Sequence, residues 1–191
     1  MEQVKELRAR TGAGVVDAKQ ALEESAGDVE QAIVTLRKKG KASAAKKADR
    51  ATREGFVATY IHSNYKVGVM LSLLCETDFV ARNEKFQELG RNIALHIAAA
   101  DPTVVSPEDV PVAAVEAEKA IALEQAKAGN KPEAIQEKIV TGKLKTFREE
   151  QSLLTQKYVK DPSITIADLI HDAVGELKEN ITVGEFKRIK I

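Results

Sequence analysis

Val67-Gly68-Val69-Met70-Leu71-Ser72-Leu73-Leu74-Cys75, running into Glu76-Thr77-Asp78-Phe79-Val80, is the stretch that decides the fold. Val67, Val69, Leu71, Leu73 and Cys75 alternate onto one face, the period-two pattern of a strand. Met70 and Leu74 share the other face with Gly68 and Ser72, so this strand reads as buried on both sides. Upstream, helical spacing gives way to alternation at Gly55, and Phe56-Val57-Ala58-Thr59-Tyr60-Ile61 reads as a first strand. His62-Ser63-Asn64-Tyr65-Lys66 is the polar turn between them, which predicts an antiparallel hairpin. Thr77 to Val80 then lie between the second strand and a helical pattern that begins near Asn83 to Phe86. A Phe beside a carboxylate at such a junction has two readings. It is an ordinary core residue, or it is a ring presented outward to a partner on a rigid support.

Helical signals surround the hairpin. Residues 1–40 read as three short helices with a very small core, a size suited to docking and unsuited to a catalytic interior. Thr11-Gly12-Ala13-Gly14 ends the first helix. Val15, Ala18 and Leu22 line the second, with Ala21 beside them, and Gly27 stops it. Asp28 and Gln31 form a capping-box pattern for the third, whose stripe is Val29, Ile33 and Leu36 and whose expected end is Gly40. Residues 41–54 are read as a basic linker, and the wider segment 37–53 holds Arg37, Lys38, Lys39, Lys41, Lys46, Lys47, Arg50 and Arg53 against the single acid Asp49. It is a solvated helical linker, with an RNA-binding arm as the alternative; no aromatics interleave to stack bases.

Residues 55–191 complete an α+β core of a small antiparallel sheet packed with helices. Phe86, Leu89, Ile93 and Ile97 share one helical face. A loop with Pro102, Pro107 and Pro111 follows, then a helix from Val112 to Ala128 that stops at Gly129. Asn130, Pro132 and Glu133 open the next, which is weakened at Gly142 and continues through Leu144, Phe147, Leu153 and Leu154. Asp161-Pro162-Ser163 is a turn, Thr165 to Asp168 open a last helix, and Ile181 to Ile191 form a final strand with a bulge at Gly184.

The composition narrows the function. Lys plus Arg equals Asp plus Glu at 29 each, so there is no overall field to attract nucleic acid or an acidic membrane. Aromatics are 4% of residues with no Trp, so the core is built from Ala, Val, Ile and Leu. The one cysteine, Cys75, reads as a buried thiol and suits a reducing compartment. No apolar run approaches the ~18 residues of a membrane span, and the opening Met-Glu-Gln-Val-Lys-Glu is not an export signal, so a cytoplasmic location is expected. Asn180-Ile181-Thr182 matches a glycosylation sequon by chance.

Gly40-Lys41 and Gly142-Lys143 lack the rest of a phosphate loop, so no nucleotide of the chain's own is expected. Gly12-Ala13-Gly14 follows no strand and makes no dinucleotide fingerprint. His62, His96 and His171 stand alone, without metal-ligand spacing. His62 reads as a solvated turn residue and His96 as a packed or hydrogen-bonded helix-face residue; His171 beside Asp172 offers a surface pair, although adjacent helical residues do not face each other. No catalytic residue and no cofactor is expected, and the reading moves from enzyme to binding protein.

Two longer motifs carry a resemblance. Leu7-Arg8-Ala9-Arg10-Thr11-Gly12-Ala13-Gly14 precedes Asp17-Ala18-Lys19-Gln20-Ala21-Leu22. Cys75-Glu76-Thr77-Asp78-Phe79-Val80-Ala81 is the second, and the more specific. Ala45-Lys46-Lys47-Ala48, Glu54-Gly55 and Gln156-Lys157-Tyr158-Val159-Lys160-Asp161 fall between and after them in order. Together they resemble bacterial elongation factor Ts, the guanine-nucleotide exchange factor for elongation factor Tu. Val15-Val16 stand where many members carry Met-Met. The resemblance implies an N-terminal bundle of the ubiquitin-associated kind that docks on elongation factor Tu through Leu7, Arg8, Thr11, Gly12, Val15 and Val16. It implies that Thr77, Asp78, Phe79 and Val80 act near the partner's Mg²⁺ site, with the Phe79 ring as a wedge. The chain resembles short members, which are expected to be homodimers. Neither the second core subdomain nor the coiled-coil insertion of longer members is expected, nor is any specific nucleic acid partner.

Overall fold

The computed structural model describes residues 1–128 and 132–191. Three helices come first: α1 (Glu2–Thr11), α2 (Val15–Glu24) and α3 (Val29–Lys47). Gly12 closes α1 in the left-handed conformation at φ 69°, its N–H donating to the Arg8 carbonyl at 2.8 Å. Asp28 caps α3 by accepting from the Gln31 N–H at 3.0 Å. The helices share a small core of Leu7, Ala18, Ala21, Leu22 and Ala32, with Val4, Val29, Ile33 and Leu36 packed against it. Val15 does not join this stripe: it is exposed, and the buried face of α2 begins at Ala18.

The hairpin follows as β1 (Glu54–Ile61) and β2 (Val67–Cys75), then the single turn α4 (Asp78–Ala81) and the long helix α5 (Glu84–Ala100). Beyond the proline-bearing loop come α6 (Val112–Ala128) and α7 (Glu133–Gln151), the short pair β3 (Lys157–Tyr158) and β4 (Asp161–Thr165), α8 (Ile166–Leu177) and β5 (Thr182–Lys190). Asp161-Pro162-Ser163 is thus the start of a strand, where a turn is expected. The local turn chemistry survives there, since Asp161 accepts from the Ser163 N–H and hydroxyl at 3.1 and 2.6 Å.

β2 is the central strand of a three-stranded antiparallel sheet ordered β1-β2-β5. Leu71 pairs with Ala58 and Phe186, and Val69 with Tyr60 and Arg188. The register slips between Leu71, opposite Phe186, and Leu73, opposite Val183. This is the bulge expected at Gly184. There the Ser72 hydroxyl donates to the Glu185 carbonyl at 3.1 Å and accepts from its N–H at 2.7 Å, standing in for ladder bonds. The inner face buries Ala58, Val69, Leu71, Leu73 and Cys75. Helix α5 covers Phe56 with Phe86, ring centroids 5.5 Å apart, and with Gly90, where a Cβ would lie 2.5 Å from the Phe56 ring. The outer face corrects the expectation that β2 is buried on both sides. Met70 is 57% exposed, and Val57, Ile61 and Ile189 on the same face are exposed as well.

Helix α3 continues through Gly40, its expected end, to Lys47. The reason is a helix crossing. A Cβ on Gly40 would lie 3.2 Å from the His171 carbonyl of α8, and one on Gly175 would lie 3.3 Å from the Gly40 Cα. Glycine at Gly40 is therefore a close-approach residue; its helix-interior cost of about 1 kcal/mol is offset by the packing that only a missing side chain permits.

The chain divides into two compact units, residues 1–95 with 167–191, and residues 96–166. In the second, α6 and α7 pack as an antiparallel hairpin around Ala122, Ala126 and Val140, with Leu123, Ile139 and Leu144 against them. The helix expected from Val112 to Ala128 and the one expected to follow it are thus both present and packed together. Helix α7 is continuous from Glu133 to Gln151, and Leu153 and Leu154 lie past its end in a separate 3-10 turn. The expected stop at Gly129 and start at Asn130 lie outside the described residues. Gly142 differs from Gly40 because a Cβ there meets nothing within 4 Å. Gly142→Ala is expected to stabilise α7 by about 1 kcal/mol, close to fivefold slower amide exchange in that helix, read by hydrogen-exchange mass spectrometry.

Candidate partner-binding site

The turn at residues 77–80 is built from its backbone outward. Thr77 is extended and caps α4, its hydroxyl oxygen accepting from the Val80 N–H at 3.4 Å. The Thr77 carbonyl accepts from the Ala81 N–H at 3.1 Å and from the Cys75 thiol at 3.2 Å. Ala81 is buried and anchors the turn on the hairpin, while Phe79 is 83% exposed. Of the two readings of Phe79, the core one is excluded: the ring projects into solvent from a short, tethered turn. Asp78 is partly exposed and pairs with Arg82 at 3.1 Å, a one-turn contact on the surface. Val80 is half-buried beside it.

The support beneath the turn is a polar network from the far end of the chain. The Glu179 carboxylate accepts from the Glu76 and Thr77 N–H groups, each at 3.0 Å, and from the Thr77 hydroxyl at 2.6 Å. The Asn180 N–H donates to the Glu76 carboxylate at 2.6 Å, and Arg50 lies 3.5 Å from the same oxygen. The Asn180 amide donates to the carbonyls of Ala48 and Arg50 at 3.3 and 2.8 Å. Asn180 is buried with its side-chain NH₂ engaged, so the sequon is structural. Burial, and the nearby Glu179 charge, push the Cys75 thiol up to about 11, which keeps it protonated at neutral pH.

The comparisons agree with the motif that this turn carries. The family model described as Elongation factor TS matches residues 2–191. The chain is 52% identical over 190 residues to elongation factor Ts of Fervidobacterium nodosum, covering 100% of this chain and 96% of that one. The chain belongs to the elongation factor Ts family. It is also 50% identical to elongation factor Ts of Nitratidesulfovibrio vulgaris, covering 100% of this chain and 95% of the relative. With that of Petrotoga mobilis the identity is 51%, covering 100% and 97%. Membership implies a nucleotide-exchange role with elongation factor Tu as the partner.

The N-terminal signature of an elongation factor Ts chain divides by burial. Leu7 is fully buried in the three-helix core. The Thr11 hydroxyl donates to the Leu7 carbonyl at 2.6 Å and accepts from the Ala13 N–H at 3.3 Å, and the Arg8 Nε donates to the Ala13 carbonyl at 3.1 Å. Gly12 supplies the left-handed turn, and a Cβ there would lie 2.7 Å from a Glu176 oxygen. These four residues shape the loop. Val15 and Val16, 45% and 76% exposed, are the apolar side chains that the loop leaves in solvent.

The other residues singled out from sequence have local explanations. His62 is exposed, its Nδ1 3.0 Å from the Tyr60 hydroxyl. His96 is fully buried; its Nε2 pairs with Gln156 at 3.0 Å and its Nδ1 accepts from the Val159 N–H at 3.3 Å. That pattern is neutral imidazole, consistent with burial pushing its pKa down. His171 is not a surface partner of Asp172, since its Nδ1 is buried with no hydrogen-bond partner. Among the basic residues of 37–53, Lys39 pairs with Glu24, Lys41 with Asp168 and Arg50 with Glu76. No group of three or more His, Cys, Asp or Glu suited to a metal exists among the described residues, and no helix among them is long and apolar enough to cross a membrane.

Proposed function

We propose that the chain is a guanine-nucleotide exchange factor, not a bond-making enzyme, which speeds GDP release by pressing Phe79 against elements of elongation factor Tu near its Mg²⁺. The observation that carries this reading is the exposed Phe79 ring on a tethered turn. An aromatic anchor filling a pocket contributes ~2 kcal/mol or more, and here the backbone beneath it is ordered before contact. Asp78 adds polar contacts once it parts from Arg82. Disturbing the ligands of Mg²⁺ removes charge that neutralises the nucleotide's phosphates. The N-terminal bundle, of the ubiquitin-associated kind, docks on the nucleotide-binding domain through Val15 and Val16, on the loop shaped by Leu7, Arg8, Thr11 and Gly12. Residues 41–54 link that bundle to the core.

Linkage makes the effect reciprocal: a chain that lowers nucleotide affinity a thousandfold has its own affinity lowered a thousandfold by nucleotide, about 4 kcal/mol of coupling. Phe79 alone does not supply that, so N-terminal docking and Asp78 share the work. The test is a size-exclusion experiment. The chain and elongation factor Tu are expected to co-elute free of nucleotide and to separate when excess GDP is added. A mixture that never co-elutes, or a complex indifferent to GDP, would refute the reading.

The chain acts as a homodimer in this proposal. Val57, Ile61, Met70 and Ile189 form an open apolar sheet face, and a second copy covering it gives β2 the two buried faces that its sequence suggests. Light scattering is expected to give twice the 20.8 kDa of one chain. Met70→Lys is expected to shift the mass toward one copy; a wild-type chain that is monomeric at micromolar concentration contradicts the proposal.

A further inference from the structure

We propose that Glu179 is a positioning residue for exchange, fixing the direction in which Phe79 faces; this rests on the wedge reading above. A ring that is 83% exposed has almost no packing to orient it, so its direction is set by the backbone of a four-residue turn. That backbone starts at Glu76 and Thr77, and Glu179 holds both N–H groups and the Thr77 hydroxyl with one carboxylate. Bonds to an ionised acceptor are the stronger class. The hydroxyl bond matters twice. With its proton committed to Glu179, the Thr77 oxygen turns its lone pairs to the Val80 N–H, making the cap of α4 dependent on Glu179.

The chain's route to this contact is specific. Lys178 closes α8 with its N–H on the Val174 carbonyl at 3.0 Å and takes a left-handed φ of 64°, which reverses the backbone before Glu179. Asn180 follows, its N–H on Glu76 and its amide on Ala48 and Arg50. The strand end that carries Phe79 is therefore gripped from both sides by residues distant in sequence. Glu179 itself is not offered to the partner as a contact; it acts through the turn.

The test is a double-mutant cycle on the full chain, with stimulated release of a fluorescent GDP from elongation factor Tu as the readout. Glu179→Ala is expected to lower the maximal stimulated rate about tenfold, with the concentration for half-maximal effect changed less than about twofold, because displaced groups lose rate more than docking. Glu179→Gln keeps an oxygen for the N–H groups and an NH₂ near Thr77, and is expected to recover most of the loss. In the Phe79→Ala background, Glu179→Ala should add less than a twofold loss. Full multiplicative losses in the double variant, or a Glu179→Ala chain with wild-type exchange beside a defective Phe79→Ala chain, overturn the inference and leave the wedge standing. Wild-type exchange by Phe79→Ala overturns the wedge reading, and this inference with it. Should Glu179→Ala lose its helical circular dichroism, Thr77→Val takes its place in the cycle. That variant removes only the hydroxyl and is expected to behave as Glu179→Ala does, in rate and in non-additivity; independent losses there overturn the inference equally.

Discussion

Phe79→Ala is expected to slow the chain's stimulation of GDP release from elongation factor Tu by about 30-fold or more while leaving its fold unchanged. The estimate follows from a buried aromatic anchor of ~2 kcal/mol, at 1.36 kcal/mol per tenfold in rate. The unfolding transition should move by no more than about 0.5 kcal/mol, because a surface truncation removes little native packing; Phe79 is 83% exposed. The separation of the two effects is what makes the variant informative. A core Phe would lose stability together with function, whereas an exposed wedge loses function alone. Stopped-flow release and a denaturant titration of the same preparation check both, and equal exchange by variant and wild type would contradict the wedge.

Gly55→Ala has the opposite signature, a loss of stability of about 3 kcal/mol from backbone strain within the hairpin. Gly55 adopts φ 155°, a conformation L side chains rarely take. A Cβ there would lie 2.2 Å from the Leu73 carbonyl oxygen and 2.9 Å from the Leu74 Cα. Both obstacles are backbone of the neighbouring strand, so no rotamer change relieves the clash. The β1–β2 ladder must open where Glu54 pairs with Cys75 and Gly55 with Leu74. The denaturation midpoint of the purified variant measures this, and a midpoint equal to wild type would contradict the strand geometry. The expected damage lies directly before Glu76, so residual exchange should fall with the folded fraction.

Much of this was legible because the governing interactions are local. Alternation from Val67 to Cys75 marks β2 to the residue, since a half-buried strand demands that period. Gly184 marks the bulge; the turn α4, capped by Thr77, is not marked in this way, since the helical pattern is expected only near Asn83. Other features depend on what arrives from elsewhere in the chain. Gly40 looks like a helix stop, and only the approach of α8 at Gly175 makes it a crossing point. The outer sheet face looks buried because Met70 and Leu74 are apolar, yet Met70 is exposed there, as are Val57, Ile61 and Ile189. Leu7 and Val16 belong to one family motif, yet one is core and the other surface, a distinction that motif membership does not carry.

Glu179 and Asn180 are the functional candidates that the sequence hides. They sit after a helix in an unremarkable Lys-Glu-Asn run, and their partners lie more than 100 residues away. The available hint was indirect. A polar Glu-Asn pair stands between the apolar end of α8 and the strand β5, where it needs buried partners or solvent. Local pattern cannot say which, and the answer comes only when the sheet brings β5 beside β2.

The central claim is that this chain accelerates nucleotide release from elongation factor Tu, and stopped-flow release of a fluorescent GDP from preloaded elongation factor Tu tests it most directly. Wild-type chain at substoichiometric concentration is predicted to speed release by orders of magnitude and to turn over, each chain discharging many partners. Release at the spontaneous rate, however much chain is added, would contradict the account.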